Sequence, residues 1–183
     1  MYYGDEIGME TTPPARKEGV KDIMTGLAAW PRFKGRDGER TPMQWNSSAN
    51  AGFTTGTPWL PVPPTAATVN VKAEEAERDS LLVWYRALIR LKKTTPALER
   101  GKNTMLDTSN AKVLSWMRRS QGVPTVLVSL NFTPEPQTVN LGGPGIAANK
   151  KLQTLLKSPG ASDPQVPNHI ELPPFGVYIG QLQ

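Results

Sequence analysis

The run Gly35-Arg36-Asp37-Gly38-Glu39-Arg40-Thr41-Pro42-Met43-Gln44-Trp45 sets two guanidinium groups, two carboxylates and an indole in one stretch punctuated by glycine and proline. A guanidinium is a planar fork of donors that holds a hydroxyl or carboxylate in one orientation, and an indole face covers the apolar side of a pyranose ring. The combination suits sugar recognition. A second acidic pair, Asp5 and Glu6, stands near the N-terminus in Tyr2-Tyr3-Gly4-Asp5-Glu6-Ile7-Gly8-Met9. Read as the end of a strand, that segment points Asp5 and Glu6 to opposite faces, whereas two carboxyls acting on one glycosidic bond with retention stand about 5–5.5 Å apart. The pair is therefore not read as catalytic.

Other chemistries find little support. His169 is the one histidine and there are no cysteines, which excludes a histidine metal cluster, thiolate sites and disulfides. A serine triad would depend on His169, and no Gly-x-Ser-x-Gly elbow accompanies it. Gly101-Lys102-Asn103-Thr104 lacks the earlier glycine of a phosphate loop and reads as a turn. No catalytic residue, metal or cofactor is assigned.

The elements that must position these residues divide the chain. Residues 9–72 show no sustained period and are interrupted by Pro13, Pro14, Pro31, Pro42, Pro58, Pro61, Pro63 and Pro64. Structureless connections beyond about 12–15 residues usually carry function, so the length of this loop itself marks a site. A short helical turn is expected near residues 20–27. Asp79 or Ser80 caps a helix to about Thr94 on the face of Leu81, Leu82, Tyr85, Leu88 and Ile89, and Pro96 ends it. Beyond Gly101, seven short β-rich runs at residues 104–106, 113–119, 125–131, 137–141, 152–156, 170–172 and 177–182 predict an antiparallel β-sandwich, with Trp116, Val126, Val128 and Leu130 in its core. Surface turns are expected at residues 141–145 and 158–167.

The chain has 183 residues and a formal net charge of +5. Residues 1–100 hold 14 basic and 12 acidic side chains and residues 101–183 hold 7 and 4, so no basic stripe exists and no nucleic-acid partner is expected. No stretch reaches the roughly 20 apolar residues of a spanning helix, and no leader pattern opens the chain, so a cytoplasmic protein without a membrane partner is expected.

On the segments from Tyr2 to Met9 and from Gly35 to Trp45, the sequence resembles the α-amylase family of glycoside hydrolases, in its α-glucosidase and oligo-1,6-glucosidase branch. The resemblance implies an α+β, mainly β chain: residues 1–100 as the C-terminal remnant of a (β/α)8 barrel, with its last strand, active-site loop and final helix, and residues 101–183 as the β-sandwich. It implies Arg40 as a contact to a non-reducing glucose; the competing reading pairs Arg40 with Asp37 or Asp5 as a brace. Arg36 and Asp37 are read as bracing residues, and Trp45 as a plug in the loop's own small core in preference to a lining residue of the pocket. Asn46 stands where the related motif usually has aspartate. The family's three catalytic carboxylates lie upstream of anything resembling Tyr2, so this chain alone is expected to be inactive, with an α-glucoside oligosaccharide as the ligand of the parent enzyme. Trehalose synthase or another transglycosylase, a heavy-chain-like relative without chemistry, and a sugar-binding module are the alternatives. An isolated barrel remnant is expected to be poorly ordered, to rearrange, or to self-associate through residues 1–70.

Overall fold

The computed structural model describes residues 1–106, 110–141, 146, 150–164 and 169–183. The turns expected at 141–145 and 158–167 lie in part outside the described residues. The chain divides into two compact units, Met1–Arg86 and Ala87–Gln183, with the division inside a helix.

The first unit is built mostly of irregular chain. Its opening corrects one expectation: residues 1–8 form no strand but turn into a 3-10 helix at Asp5–Ile7. Gly4 and Gly8 adopt left-handed backbone at φ 93° and 67°, which ends any extended run. The Asp5 carboxylate then accepts the Tyr2 N–H at 2.8 Å, and Glu6 that of Gly4 at 2.8 Å. Local acceptors thus satisfy amides that a ladder would otherwise need. Asp5 and Glu6 consequently lie on a turn rather than on opposite faces of a strand.

The long proline-rich stretch is a series of short turns at Lys17–Gly19, Asp37–Glu39, Ala49–Gly52 and Pro64–Ala67. The turn expected near residues 20–27 is a π-helical one, Ile23–Leu27, capped by Asp22. Helix α1 (Val71–Ala76) starts where the Asn70 side chain accepts the Ala73 N–H. Helix α2 (Leu81–Thr94) starts at Ser80, whose hydroxyl accepts the Val83 N–H and donates to the Glu74 carbonyl. Ser80 is therefore the cap, a contact worth about 1 kcal/mol. Ile7, Met43 and Leu82 form the small apolar core of this unit.

The second unit follows the alternation of its sequence. Proline does not simply stop the chain after α2: Pro96 opens a further short helix, α3 (Pro96–Arg100). The strands are β1 (Lys102–Leu106), β2 (Val113–Arg119), β3 (Val126–Asn131), β4 (Gln137–Val139), β5 (Leu152–Lys157), β6 (Ile170–Leu172) and β7 (Val177–Leu182). They form a five-stranded antiparallel sheet in the order β1-β2-β3-β7-β5 and a two-stranded antiparallel sheet of β4 and β6. Central β3 is buried on both faces because successive side chains meet different layers. Leu127 joins Val139, Ile170 and Leu172 of the small sheet in one core, while Val126 and Val128 pack with Ala97, Leu88 and Leu91 on the other side. Trp116 and Leu130 pack half-buried against this second core.

Candidate sugar-contact site

The first unit is organised around two carboxylates that bind amides. Asp37 is buried, and its Oδ2 accepts the N–H groups of Lys21 at 2.6 Å and Asp22 at 3.0 Å. Asp22 in turn accepts the Thr25 hydroxyl at 2.6 Å, the Thr25 N–H at 3.2 Å and the Arg36 N–H at 3.1 Å. The Arg36 guanidinium lies 3.6 Å away from the same oxygen. The Thr25 hydroxyl bond, then the Thr25 and Arg36 amides, hold the Asp22 carboxyl well below the usual carboxylate range. The Thr25 hydroxyl and the two amides, rather than the more distant Arg36 charge, therefore hold this turn. Gly35 sits at φ 76°, and a Cβ there would come within 2.9 Å of both Asp22 Cβ and Gly26 Cα. Only glycine lets the two segments approach.

A second polar anchor holds the next stretch. Gln44 is fully buried, donates to the Val69 carbonyl at 2.6 Å and accepts the Thr65 hydroxyl at 3.0 Å. Its own carbonyl accepts the Val71 N–H. Thr41, Pro42, Met43 and Gln44 are thus buried in a row, and the residues flanking them, Arg40 and Trp45, turn outward. Neither Asp37 nor Asp5 pairs with Arg40; among the described residues its guanidinium forms no ion pair or hydrogen bond.

Two clefts meet at Arg40. One, of about 470 Å³, has a lining of mixed polar and apolar character that includes Tyr2, Tyr3, Asp5, Arg36, Glu39 and Arg40. The other, of about 510 Å³, is mostly apolar and lined by Trp45, Phe53, Trp59, Leu60, Met43 and Arg40 among others. Tyr3, Arg40 and Thr41 border both. The Tyr3 hydroxyl donates to the Thr41 carbonyl at 2.9 Å, and burial first, then the neighbouring Tyr2, raises its pKa so that it remains a phenol.

Trp45 corrects the expectation of a plug. It is 50% exposed and lines the apolar cleft, while its neighbours Met43 and Gln44 are buried. The Asn46 side chain accepts the N–H and hydroxyl of Ser48, a turn contact in which the amide stands in for the charge of aspartate. Asp22, Gln44, Tyr3 and Phe53 escaped the sequence reading. Only Asp22 carried a legible signal, a short acidic side chain three residues before Thr25 at the head of a turn. His169 is exposed beside Glu171, and Trp84 and Trp116 are half-buried. No cluster of histidine, aspartate and glutamate able to hold a metal occurs among the described residues, and none of their helices is long and apolar enough to cross a membrane.

The family model of the α-amylase catalytic domain matches residues 1–101, more than half of the chain, and the chain belongs to the α-amylase family. Within it, the chain is 37% identical over 151 residues to the "Probable oligo-1,6-glucosidase 2" of Bacillus subtilis (strain 168), covering 74% of this chain and 27% of that one. It is 35% identical over 158 residues to the glucan 1,6-alpha-glucosidase of Streptococcus pneumoniae serotype 4, covering 78% of this chain and 29% of that one. The crystal structure of the trehalulose synthase MutB from Pseudomonas mesoacidophila MX-45 superposes with a TM-score of 0.84 at 34% identity, over 100% of this chain and 35% of that one. A variant of that synthase has been solved in complex with its substrate sucrose. The chain spans about a third or less of the length of these relatives.

Proposed function

We propose that this chain is the wall-forming C-terminal part of an α-glucosidase-type enzyme, acting in the cytoplasm on α-glucosidic bonds of maltose- or isomaltose-type oligosaccharides. In this reading residues 1–100 carry the active-site loop and last helix of the barrel, and residues 101–183 form a β-sandwich. Arg40 grips a glucose hydroxyl at the rim, while Arg36 and Asp37 brace the loop behind it. The chain supplies none of the catalytic carboxylates, so the retaining chemistry belongs to the parent protein.

The observation that carries the proposal is the free guanidinium of Arg40. It stands between two clefts on a backbone held by Asp22, Asp37 and Gln44, with no carboxylate of its own. The likeness to a trehalulose synthase favours a second reading, in which the parent transfers or rearranges a glucosyl unit instead of releasing it to water. Hydrolysis of an aryl α-glucoside by the purified chain tests the division of labour. No turnover above buffer is expected, and turnover of about 1 s⁻¹ or more, an ordinary enzymatic rate, overturns it.

A further inference from the structure

Two asparagines open the same kind of turn in different surroundings. Asn46 and Asn131 each stand two residues before a hydroxyl, in Asn46-Ser47-Ser48 and Asn131-Phe132-Thr133. In both turns the asparagine side-chain carbonyl accepts the N–H and the hydroxyl of that later residue. Two donors on one amide carbonyl draw electron density from its carbon, the arrangement that stabilises an oxyanion when a nucleophile adds.

The groups around that carbonyl differ. Asn131 is 3% exposed, and its Nδ2 donates to the carbonyls of Glu135 at 2.7 Å and Pro173 at 2.8 Å. The next N–H, that of Phe132, is bound to the Lys112 carbonyl. Asn46 is half-buried beside exposed Ser47 and Ser48, and among the described residues neither its Nδ2 nor the Ser47 N–H has a hydrogen-bond partner. The N–H groups of Trp45 and Asn46 both bind the Ala51 carbonyl, so the chain is held just before the Asn46–Ser47 peptide and not at it. Asn46 is also the one asparagine of the sequence followed by serine, a small residue that leaves the intervening nitrogen uncrowded.

We propose that Asn46 is a self-modification site, where the turn converts its own asparagine to aspartate. The Ser47 backbone nitrogen, its proton taken by solvent hydroxide, attacks the Asn46 Cγ, whose oxygen is held by the two Ser48 donors. A Cγ–N bond forms and the Cγ–Nδ2 bond breaks, with Nδ2 taking up a proton and leaving as ammonia. Water then opens the succinimide ring at either carbonyl, giving aspartate or isoaspartate. One water is consumed and one ammonia released, with no change of oxidation state. The aspartate product puts the carboxylate of the related motif into the same Ser48 contacts and lowers the formal net charge of +5 by one. Asn131 is the internal control, because its leaving nitrogen and the neighbouring N–H are both tied. The site stands whether or not Arg40 binds a sugar.

Incubation of the 183-residue chain at mildly alkaline pH, followed by peptide mapping with mass spectrometry, tests this. The peptide holding Asn46 is expected to gain about 1 Da, with isoaspartate among its products, at least about tenfold faster than the peptide holding Asn131. Mildly acidic buffer should slow the conversion, because the attacking nitrogen must lose its proton. Ser48→Ala removes one of the carbonyl's two donors and should slow it about threefold, and Ser47→Val crowds the nitrogen and should slow it as well. Both substitutions fall on exposed residues, and thermal unfolding of the two variants should match wild type. Conversion of Asn131 as fast as that of Asn46 overturns the inference, as does an undiminished rate in Ser48→Ala or a product free of isoaspartate. An Asn46 that persists in the native chain while the guanidinium-unfolded chain converts overturns it too.

Discussion

The two units solve the same problem by opposite means. In Ala87–Gln183 apolar alternation buries Leu127, Met117 and Tyr178 in a layered core, and the backbone amides pair with one another along ladders. In Met1–Arg86 three apolar side chains form the core, and side-chain carboxylates and an amide take the place of ladders. The contrast explains why the Arg40 loop can be rigid without regular structure: its fixed points are acceptors aimed at particular N–H groups. Irregular backbone held this way leaves Arg40 and Trp45 free to face outward.

The sharpest separation of the two units comes from core truncation. Leu127→Ala removes a fully buried side chain and should cost the second unit about 2–5 kcal/mol, read by denaturant unfolding. Amide exchange should show the loss in β3 and its neighbours while the loop of the first unit keeps its protection. Equal loss in both units would erase the distinction. Asp37→Ala should do the reverse. It strands the Lys21 and Asp22 amides and should cost about 1–3 kcal/mol, confined to the first unit. Gly35→Ala should act at the same place by at least about 1 kcal/mol, through left-handed strain and the close approach of Asp22 and Gly26.

A pH titration sharpens the comparison further. The folded state holds the Asp22 carboxyl below its ordinary range, so its contribution is complete above about pH 4 and is lost as the pH falls below that. Acidification should therefore loosen the first unit, and Asp22→Asn should flatten that dependence. An acid dependence of the first unit unchanged in Asp22→Asn would contradict it. The smallest effect is expected at Phe175, exposed at φ 52° in the turn that the Gly176 N–H closes onto the Pro173 carbonyl. Phe175→Gly should relieve left-handed strain and stabilise the second unit by up to about 1 kcal/mol in thermal unfolding.

The same contrast decides what could be read in the sequence. All seven β-rich runs became strands because alternation at period two is written in neighbouring residues, as in β2, where Val113, Ser115 and Met117 point inward. Helix α2 was legible from Ser80 and the Leu81, Leu82, Tyr85 face. The terminal strand was misread because Tyr2 and Tyr3 carry strand propensity, while the capping by Asp5 and Glu6 is a contact rather than a pattern. Arg40, Arg36 and Asp37 were legible as residue types in a loop. Their anchors were not, since Asp37 meets Lys21 sixteen positions away and Gln44 meets Val69 across twenty-five. Trp45 was misplaced because nothing local says that Met43 and Gln44 already occupy the interior.

Saturation-transfer NMR of maltose with the wild-type chain and with Arg40→Ala tests the central claim most directly, namely that this loop holds a free guanidinium where a glucose hydroxyl can reach it. Transfer to the glucosyl protons is expected in wild type and should fall by at least tenfold in Arg40→Ala, with the sheet resonances unmoved. Equal transfer in the two proteins would contradict the account.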